Sequence, residues 1–261
     1  MKKHFSLLIC VLLLLPIALL SWKPGAVKKT SVALNKAFTP EQVLEKYVNN
    51  VYEASRLAES GLDPDVFRKA FTGFINLKAA NKLSQNSAVL TVVDFTRASS
   101  EKRMWIIDLA NKSLILNTWV AHGHGSGENV PSRFSDKINS FKSSLGFYLT
   151  DDVYYGKHGR SLRLDGLDAG FNENARVREI VVHAANYVGE RVVERQGHVG
   201  RSQGCPAVSP AVANQVIDAI KDKTVLFVNG NSTNYTSRYL DEAVAANFLA
   251  SDSNSNLSVN L

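Results

Sequence analysis

The amino-acid sequence predicts an α+β fold, in which a helical segment precedes a mainly antiparallel β domain. Apolar residues recur at helical spacing before about residue 85, and strand-like runs begin at about residue 88. Helices gathered at one end of a chain and followed by strands are typical of α+β folds rather than of alternating α/β folds. The 261 residues, 45% of them hydrophobic and 21% charged, are enough for one large domain with a small helical addition.

Residues 1–21 have the layout of an export signal. A basic start is followed by an almost wholly apolar run from Phe5 to Leu20. This run is short for a membrane span of about 20 apolar residues, so we expect either a signal peptide or an uncleaved signal anchor. Residues 22–37 contain a Pro-Gly pair and are predicted to be a linker. The protein is therefore expected to be exported, with an uncleaved membrane anchor as an open alternative.

Two helix starts define a helical segment over residues 38–85. Thr39-Pro40-Glu41-Gln42 combines a capping threonine, a proline at the first helical position and a glutamine at the capping-box position. Asp63-Pro64 marks the second start. The apolar residues that follow each start recur at helical spacing, which predicts two helices that each turn one face to a core.

Strand-like runs occupy much of residues 86–230, which we expect to form the β domain. Ala110-Asn111-Lys112 is predicted to be a hairpin turn between two of them. Ser209-Pro210 predicts the start of a helix that runs to about Asp222. Residues 231–261 form a C-terminal extension whose Ser/Asn-rich end is expected to be disordered. The candidate strands are 88–95, 103–109, 113–121, 145–150, 177–182 and 225–228.

The formal net charge of +6 comes from basic residues that are scattered along the chain. No block of lysines and arginines is long enough to suggest nucleic-acid binding, so we expect no nucleic-acid partner. The charge remains compatible with an acidic partner or an anionic surface.

One cysteine is expected in the mature chain, because Cys10 lies inside the apolar N-terminal run. Cys205 then has no partner for an internal disulfide, and it must be buried and inert, paired with another chain, or used in chemistry. Its glycine-rich loop from Gly200 to Ala207 favours chemistry, as does His183 at the end of an apolar strand. An adjacent histidine can take the proton of a thiol and make it a nucleophile. Gly204 would allow nearby backbone N–H groups to face the oxygen of an attacked carbonyl.

These residues resemble the signature of the L,D-transpeptidase (YkuD-type) family, and in particular its divergent murein L,D-transpeptidase catalytic domain branch. His183-Ala184 is similar to the His-Gly pair of that signature. Ser202-Gln203-Gly204-Cys205, after a loop of similar length, is similar to its Ser-His-Gly-Cys. Segments 120–127, 143–148 and 156–162 add to the resemblance, which runs from about residue 60 to residue 230.

The resemblance implies a cysteine transpeptidase that acts on peptidoglycan stem peptides through a thioester. Cys205 would be the nucleophile and His183 its base, while the N–H groups of Gly204 and Cys205 would hold the oxyanion. No metal or organic cofactor is required for this acyl transfer. The expected substrate-binding positions are Ser202, Arg201, Gln203 and His198.

Two positions depart from the family signature. Ala184 replaces a glycine, a small change that should leave the geometry of the strand end intact. Gln203 replaces a histidine, and because glutamine is no base at neutral pH, His183 alone must take the proton. His198 is the only nearby substitute. If His183 pairs with Cys205, the thiol should titrate below its ordinary pKa of about 8.5.

Other polar residues are weaker candidates for a functional site. His122 and His124 form an H-x-H pair, but no third metal ligand stands out, so we expect a flexible loop near the cleft. Arg176 or Arg178 is a candidate to meet a substrate carboxylate. Residues 154–160 could supply a lid or a substrate-binding surface.

Two other functions stay open. The same thioester could be resolved by water or by a non-stem amine, which would make the protein an L,D-carboxypeptidase, an amidase or a protein-to-wall ligase. A non-catalytic peptidoglycan-binding module would keep the fold without turnover, and Ala184 and Gln203 are the residues that favour it. A papain-like protease is disfavoured, because that family places Cys before His in the chain.

Overall fold

The computed structural model describes residues 38–84 and 87–254, with side chains described to residue 251. The predicted export signal, the predicted linker and the end of the predicted disordered tail lie outside these residues. Residues 38–254 belong to one compact unit. Within the described ranges, no helix combines the length and the apolar character that a membrane crossing needs.

Helix α1 (Pro40–Ala54) and helix α2 (Pro64–Ala79) begin at the two predicted caps. The Thr39 hydroxyl accepts from the Gln42 N–H at 3.3 Å, and the Gln42 side chain accepts from the Thr39 N–H at 3.0 Å. This reciprocal pair is a capping box, which satisfies two N–H groups that the helix cannot bond internally. The Asp63 carboxylate accepts from two N–H groups in the first turn of α2. Both predicted helix starts are confirmed.

The strands and remaining helices are short and follow in chain order. The strands are β1 (Val89–Asp94), β2 (Met104–Asp108), β3 (Ser113–Thr118), β4 (Val120–Ala121), β5 (Gly146–Gly156), β6 (Gly159–Gly166), β7 (Val181–Ala184), β8 (Ala207–Val208) and β9 (Val225–Asn229). The helices are α3 (Glu190–Gln196), α4 (Pro210–Ile220) and α5 (Glu242–Asn254).

The strands form one sheet in the order β3-β2-β1-β9-β5-β6-β7-β8-β4. Among the described strand pairs, β1/β9 and β7/β8 are parallel and the others are antiparallel. The predicted α+β class with a mainly antiparallel sheet is therefore confirmed. The parallel pair β7/β8 matters for function, because it aligns the two strands that flank the candidate site.

Both faces of the sheet are covered by helices. Successive residues of a strand point to opposite faces. Leu90 and Val92 of β1 accordingly share a core with α1 and α2, whereas Val93 shares a second core with α4. Val216 and Ile217 of α4 are fully buried in that second core.

The C-terminal extension completes the core under α1 and α2. Ala246 and Leu249 of α5 are buried in the same cluster as the apolar faces of those two helices. The side-chain amide of Asn76 in α2 donates to two backbone carbonyls just before α5, both at 2.8 Å. Arg68 of α2 pairs with Glu242 of α5 at 2.7 Å. The helices and strands of the predicted helical segment, β domain and C-terminal extension share one hydrophobic core. The boundaries between these three segments therefore stay a prediction.

Three predicted strands are wrong in extent, and the one predicted over 145–150 extends to Gly156 as β5. The run that starts at Ser113 divides at Trp119, because β3 pairs with β2 whereas β4 pairs with β8 at the opposite edge of the sheet. The strand predicted over 177–182 begins only at Val181, because the Arg178 N–H donates to the Asn174 carbonyl and closes a turn. Strands β6 and β8 and helices α3 and α5 have no counterpart among the predicted elements.

Candidate active site

A cleft of about 870 Å³ opens beside the ends of β7 and β8, and both Cys205 and His183 line it. The tip of the β5–β6 hairpin forms one wall with Lys157 and His158. The structure therefore brings together the two residues to which the sequence assigned the chemistry. Because β7 and β8 are parallel neighbours and His183 pairs with Ala207, the loop that carries Cys205 enters β8 on the same side of the sheet as the end of β7 that carries His183.

His183 is buried on β7, an interior strand of the sheet. It lies opposite Ser161 of β6 on one side and opposite Ala207 of β8 on the other. Its Nδ1 is 2.9 Å from the Ala184 carbonyl oxygen. A carbonyl can only accept, so this contact places the hydrogen on Nδ1 and leaves Nε2 unprotonated. Burial lowers the pKa of His183, which keeps the imidazole neutral and able to take a proton.

The loop that carries Cys205 is held by its own serine. The Ser202 hydroxyl donates to the Cys205 carbonyl at 2.7 Å and accepts from the Gly204 N–H at 3.0 Å. The Ser202 backbone continues this anchorage: its N–H donates to the His122 carbonyl and its carbonyl accepts from the His124 N–H, both at 2.8 Å. These bonds tie the cysteine loop to the loop that follows β4.

Gly204 has a φ of +129°, a conformation that residues with a side chain rarely adopt. A Cβ at this position would lie 2.9 Å from the Lys142 carbonyl oxygen. Glycine is therefore required by both the backbone and the packing. The Gly204 N–H was expected to hold the oxyanion, but in the structure it already donates to the Ser202 hydroxyl. The neighbouring N–H of Cys205 has no hydrogen-bond partner among the residues that the structure describes.

The Cys205 thiol donates to the backbone oxygen of Glu179 at 3.5 Å. Burial raises the pKa of this thiol, while the backbone N–H of Val181 and the positive charge of Arg178 lower it to a lesser extent. The expectation of a thiol pKa below the ordinary value is thus wrong for the resting protein. Its S–H group bonds to a carbonyl rather than to an imidazole, so the resting thiol is protonated at neutral pH.

The four expected substrate-binding residues separate into two groups. Arg201 and Gln203 are exposed and line the cleft. Ser202 also lines the cleft, but its hydroxyl is already hydrogen-bonded within the loop. His198 is not among the residues that line the cleft, and its Nδ1 donates to the Val199 carbonyl at 2.8 Å. His198 is thus not placed to bind a substrate in this cleft or to replace the base.

His158 stacks on His183, with ring centroids 4.2 Å apart and ring planes 22° from parallel. It comes from the tip of the β5–β6 hairpin and covers one face of the His183 ring. The sequence placed residues 154–160 at a possible binding surface, but no local pattern shows which of them reaches His183. That contact depends on the pairing of β6 with β7, which is not readable from either strand alone.

The arginines near the start of β7 are structural rather than free to bind a carboxylate. The Arg178 side chain is 3% exposed and pairs with Asp136 at 3.5 Å. Its guanidinium also donates to the Ser135 carbonyl at 2.9 Å and to the Lys142 carbonyl at 2.6 Å. It therefore fastens residues 135–144 as a wall of the cleft. Arg176 is more exposed and forms ion pairs with three aspartates of the sheet surface.

The two histidines of the H-x-H pair have different surroundings. His122 is fully buried, and its Nδ1 lies 2.8 Å from a guanidinium nitrogen of Arg103. Burial and the charge of Arg103 lower the pKa of His122 to about 4. His124 lines the cleft and stacks on Phe141 at 4.9 Å. Within the described part of the chain, no group of three or more potential ligands could hold a metal ion.

The known structures similar to this chain include L,D-transpeptidases and a helical cell shape determining protein. A structure of an L,D-transpeptidase from Mycobacterium smegmatis is 15% identical with a TM-score of 0.34, covering 55% of this chain and 59% of that one. The helical cell shape determining protein of Campylobacter jejuni is 10% identical with a TM-score of 0.37, covering 68% and 61%. An L,D-transpeptidase from Stackebrandtia nassauensis is 14% identical with a TM-score of 0.33, covering 75% and 93%.

The sequence match to a family is more specific than these structural likenesses. No curated protein matches the chain. A family model described as the L,D-transpeptidase catalytic domain matches residues 58–229, which is more than half of the 261 residues. The matched range runs from the end of the first helix region through β9 and includes both His183 and Cys205. The chain therefore belongs to the L,D-transpeptidase catalytic domain family.

Proposed function

We propose that this chain is a cysteine-dependent L,D-transpeptidase that acts on peptidoglycan stem peptides through a thioester acyl-enzyme. The observation that carries the proposal is the placement of Cys205 and His183 in one cleft, with the Nδ1–H of His183 bonded to the Ala184 carbonyl. This bond leaves Nε2 as the proton acceptor and fixes the plane of the ring. A thiol and an oriented neutral imidazole are sufficient for acyl transfer.

In the first half of the reaction, Cys205 leaves its bond to the Glu179 carbonyl when the substrate enters. His183 Nε2 takes the thiol proton as the sulfur attacks the carbonyl of the third stem residue. The Cys205 N–H stabilises the negative oxygen that forms, because the Gly204 N–H is engaged by Ser202. The carbon–nitrogen bond then breaks, the leaving D-amino acid takes the proton from His183, and a thioester remains.

In the second half, an amine of another stem attacks the thioester carbonyl. His183 accepts the proton of that amine and returns it to the departing sulfur, so the enzyme regains its starting protonation state. The cross-link that forms replaces the bond that was broken. Resolution by water instead would make the same site an L,D-carboxypeptidase.

A peptidoglycan substrate places the protein outside the cytoplasm. The family match supports this location, since L,D-transpeptidase domains act on the cell wall. The predicted signal over residues 1–21 supports it independently. We therefore propose a periplasmic or cell-envelope location, with a membrane anchor as the alternative to a cleaved signal.

A non-catalytic peptidoglycan-binding module is the second candidate. Two observations favour it: burial raises the pKa of the Cys205 thiol, and the thiol bonds to a backbone oxygen rather than to His183. Such a module would use the cleft for recognition alone. The two candidates differ in whether a thioester forms on Cys205.

The deciding experiment is a mass-spectrometric time course with tetrapeptide-bearing muropeptides. The full-length chain and a Cys205→Ala variant are incubated in parallel. Loss of the terminal D-residue together with a cross-linked dimer, seen only with the cysteine present, is the expected result. Loss without a dimer indicates a hydrolase, and no product with either protein contradicts the proposed activity. Intact-mass analysis after exposure to a carbapenem separates a reactive thiol from an inert one.

A further inference from the structure

A buried arginine and a buried histidine meet where β4 ends. Arg103 and His122 are both fully buried. The Arg103 guanidinium donates to the Val120 carbonyl through two of its nitrogens, at 3.0 and 3.1 Å, and to the Arg97 carbonyl at 2.8 Å. Burial lowers the pKa of Arg103 to about 9, so this side chain still carries its charge at neutral pH.

The His122 ring is held at both of its nitrogens. Arg103 donates to Nδ1 at 2.8 Å, and Nε2 lies 3.2 Å from the Gly127 carbonyl oxygen. Because a guanidinium can only donate and a carbonyl can only accept, the hydrogen is on Nε2 and the ring is neutral. The pKa of about 4 agrees with this neutral state. The ring therefore has one orientation, which links Arg103 to both ends of the loop that follows β4, residues 122–127.

The backbone beside the His122 ring contacts the cysteine loop. The His122 carbonyl accepts from the Ser202 N–H at 2.8 Å. Gly123 lies so close that an added Cβ would be 2.9 Å from the Gly204 Cα. The Gly123 N–H donates to the Ser143 hydroxyl at 3.0 Å, and that hydroxyl donates to the Gly204 carbonyl at 3.4 Å. Contacts therefore run without interruption from the buried histidine to the residue that precedes the nucleophile.

The Gly204 carbonyl and the Cys205 N–H belong to one planar peptide group, so contacts that fix the carbonyl also fix the direction of the N–H. We propose that His122 and Arg103 are positioning residues, which hold the loop after β4 against the cysteine loop and thereby aim the Cys205 N–H at the oxygen of the attacked carbonyl. The inference rests on the proposed function, in which this N–H stabilises the oxyanion. Both residues act through the backbone, because neither lines the cleft.

Substitutions of His122 separate its hydrogen bonds from its bulk. His122→Leu keeps much of the apolar volume and removes both hydrogen bonds. His122→Asn keeps one of them, because the Oδ1 of asparagine can take the place of Nδ1 and accept from Arg103. Arg103→Lys retains the charge without the planar set of donors, and it is the second test if His122→Leu does not fold. Asn76→Leu is the matched control, since it removes two buried hydrogen bonds of 2.8 Å between α2 and the segment before α5, away from the cleft.

Three rates are measured on each full-length variant under conditions in which circular dichroism shows it to be folded. Exchange of the Ser202 amide hydrogen, relative to the amides of the core strand β9, should be about tenfold faster in His122→Leu because the loops are no longer held together. Acylation of Cys205 by a carbapenem passes through an oxyanion and should be about 100-fold slower. Alkylation by iodoacetamide forms no oxyanion and should change by less than about threefold. His122→Asn should recover most of both losses, and Asn76→Leu should show neither.

Faster exchange at Ser202 together with slower acylation, both recovered in His122→Asn, supports the inference. Unchanged exchange, unchanged acylation, or losses of equal size in Asn76→Leu overturn it. Alkylation that slows as much as acylation also overturns it, because the thiol itself is then altered rather than the N–H beside it. Absence of acylation in the unsubstituted chain contradicts the proposed function instead, and exchange at Ser202 then decides alone whether His122 holds the cysteine loop.

Discussion

Replacing Arg178 with methionine tests how the wall of the cleft is held in place. Methionine keeps much of the aliphatic length of arginine but removes every hydrogen-bond donor. The guanidinium that is lost donates to the carbonyls of Ser135 at 2.9 Å and Lys142 at 2.6 Å and to the Ser140 hydroxyl at 3.3 Å. It also pairs with Asp136 at 3.5 Å. All of these partners belong to residues 135–144.

The loss of stability expected for this substitution follows from the burial of the ion pair between Arg178 and Asp136. Removing one member of a buried ion pair costs about 3–5 kcal/mol, because the remaining charge is left without a partner. Asp136 keeps part of its stabilisation, since its carboxylate also accepts from the Asn174 N–H at 2.8 Å and from the Asn174 side chain at 2.9 Å. The orphaned carbonyls can turn partly to water. We therefore expect the free energy of unfolding to fall by about 3 kcal/mol, at the lower end of that range.

Arg176→Met is the matched control, because the same substitution is made two residues away. The Arg176 side chain is 40% exposed, and exposed ion pairs contribute about 0–1 kcal/mol. Urea unfolding of the full-length chain, followed by far-ultraviolet circular dichroism, measures both variants. Losses of equal size in the two variants, or a loss below about 1 kcal/mol for Arg178→Met, would refute the reasoning that the buried guanidinium holds the wall.

Three further predictions concern the thiol and the glycines. The rate of Cys205 alkylation by iodoacetamide should rise with pH and have its midpoint above the ordinary cysteine pKa, because burial favours the protonated thiol; a midpoint below the ordinary value would contradict this. Gly204→Ala should lower the free energy of unfolding by about 1–3 kcal/mol and reduce turnover, because φ is +129° and the Lys142 carbonyl lies 2.9 Å from the new Cβ. Gly170→Ala, with a φ of +79° but nothing within 4 Å, is its control and should cost less in a urea titration. Gly73→Ala should prevent stable folding, as judged by circular dichroism, because a Cβ there would lie 2.0 Å from the ring of the buried Phe147.

Local signals in the sequence were sufficient for the helix starts and for selecting the candidate pair, Cys205 and His183. Thr39 and Asp63 cap helices through contacts with the next few residues, so their pattern is complete within a short segment. Cys205 and His183 stood out because a lone cysteine in a glycine-rich loop and a histidine at a strand end are visible one at a time. Their meeting in one cleft followed from the family resemblance.

Features that depend on distant pairing were not predictable in the same way. The Ser202 hydroxyl could bind a substrate or stabilise its own loop. Its hydrogen bonds to the Cys205 carbonyl and the Gly204 N–H depend on a backbone turn. Arg178 was predicted to lie on a strand, but its buried contacts are to residues more than 30 positions earlier in the chain. The raised pKa of Cys205 has the same origin, since burial is a property of the folded surroundings and not of the motif.

The shared core of α1, α2 and α5 has a consequence for how the chain reaches its folded state. The apolar faces of these two helices are closed by Ala246 and Leu249, which lie far later in the chain. Contacts between such distant parts of a chain slow folding, because a long loop must close before they form. A ribosome-bound chain that still lacks α5 cannot finish this interior. The core against α1 and α2 can therefore be completed only after the chain has been made as far as Leu249.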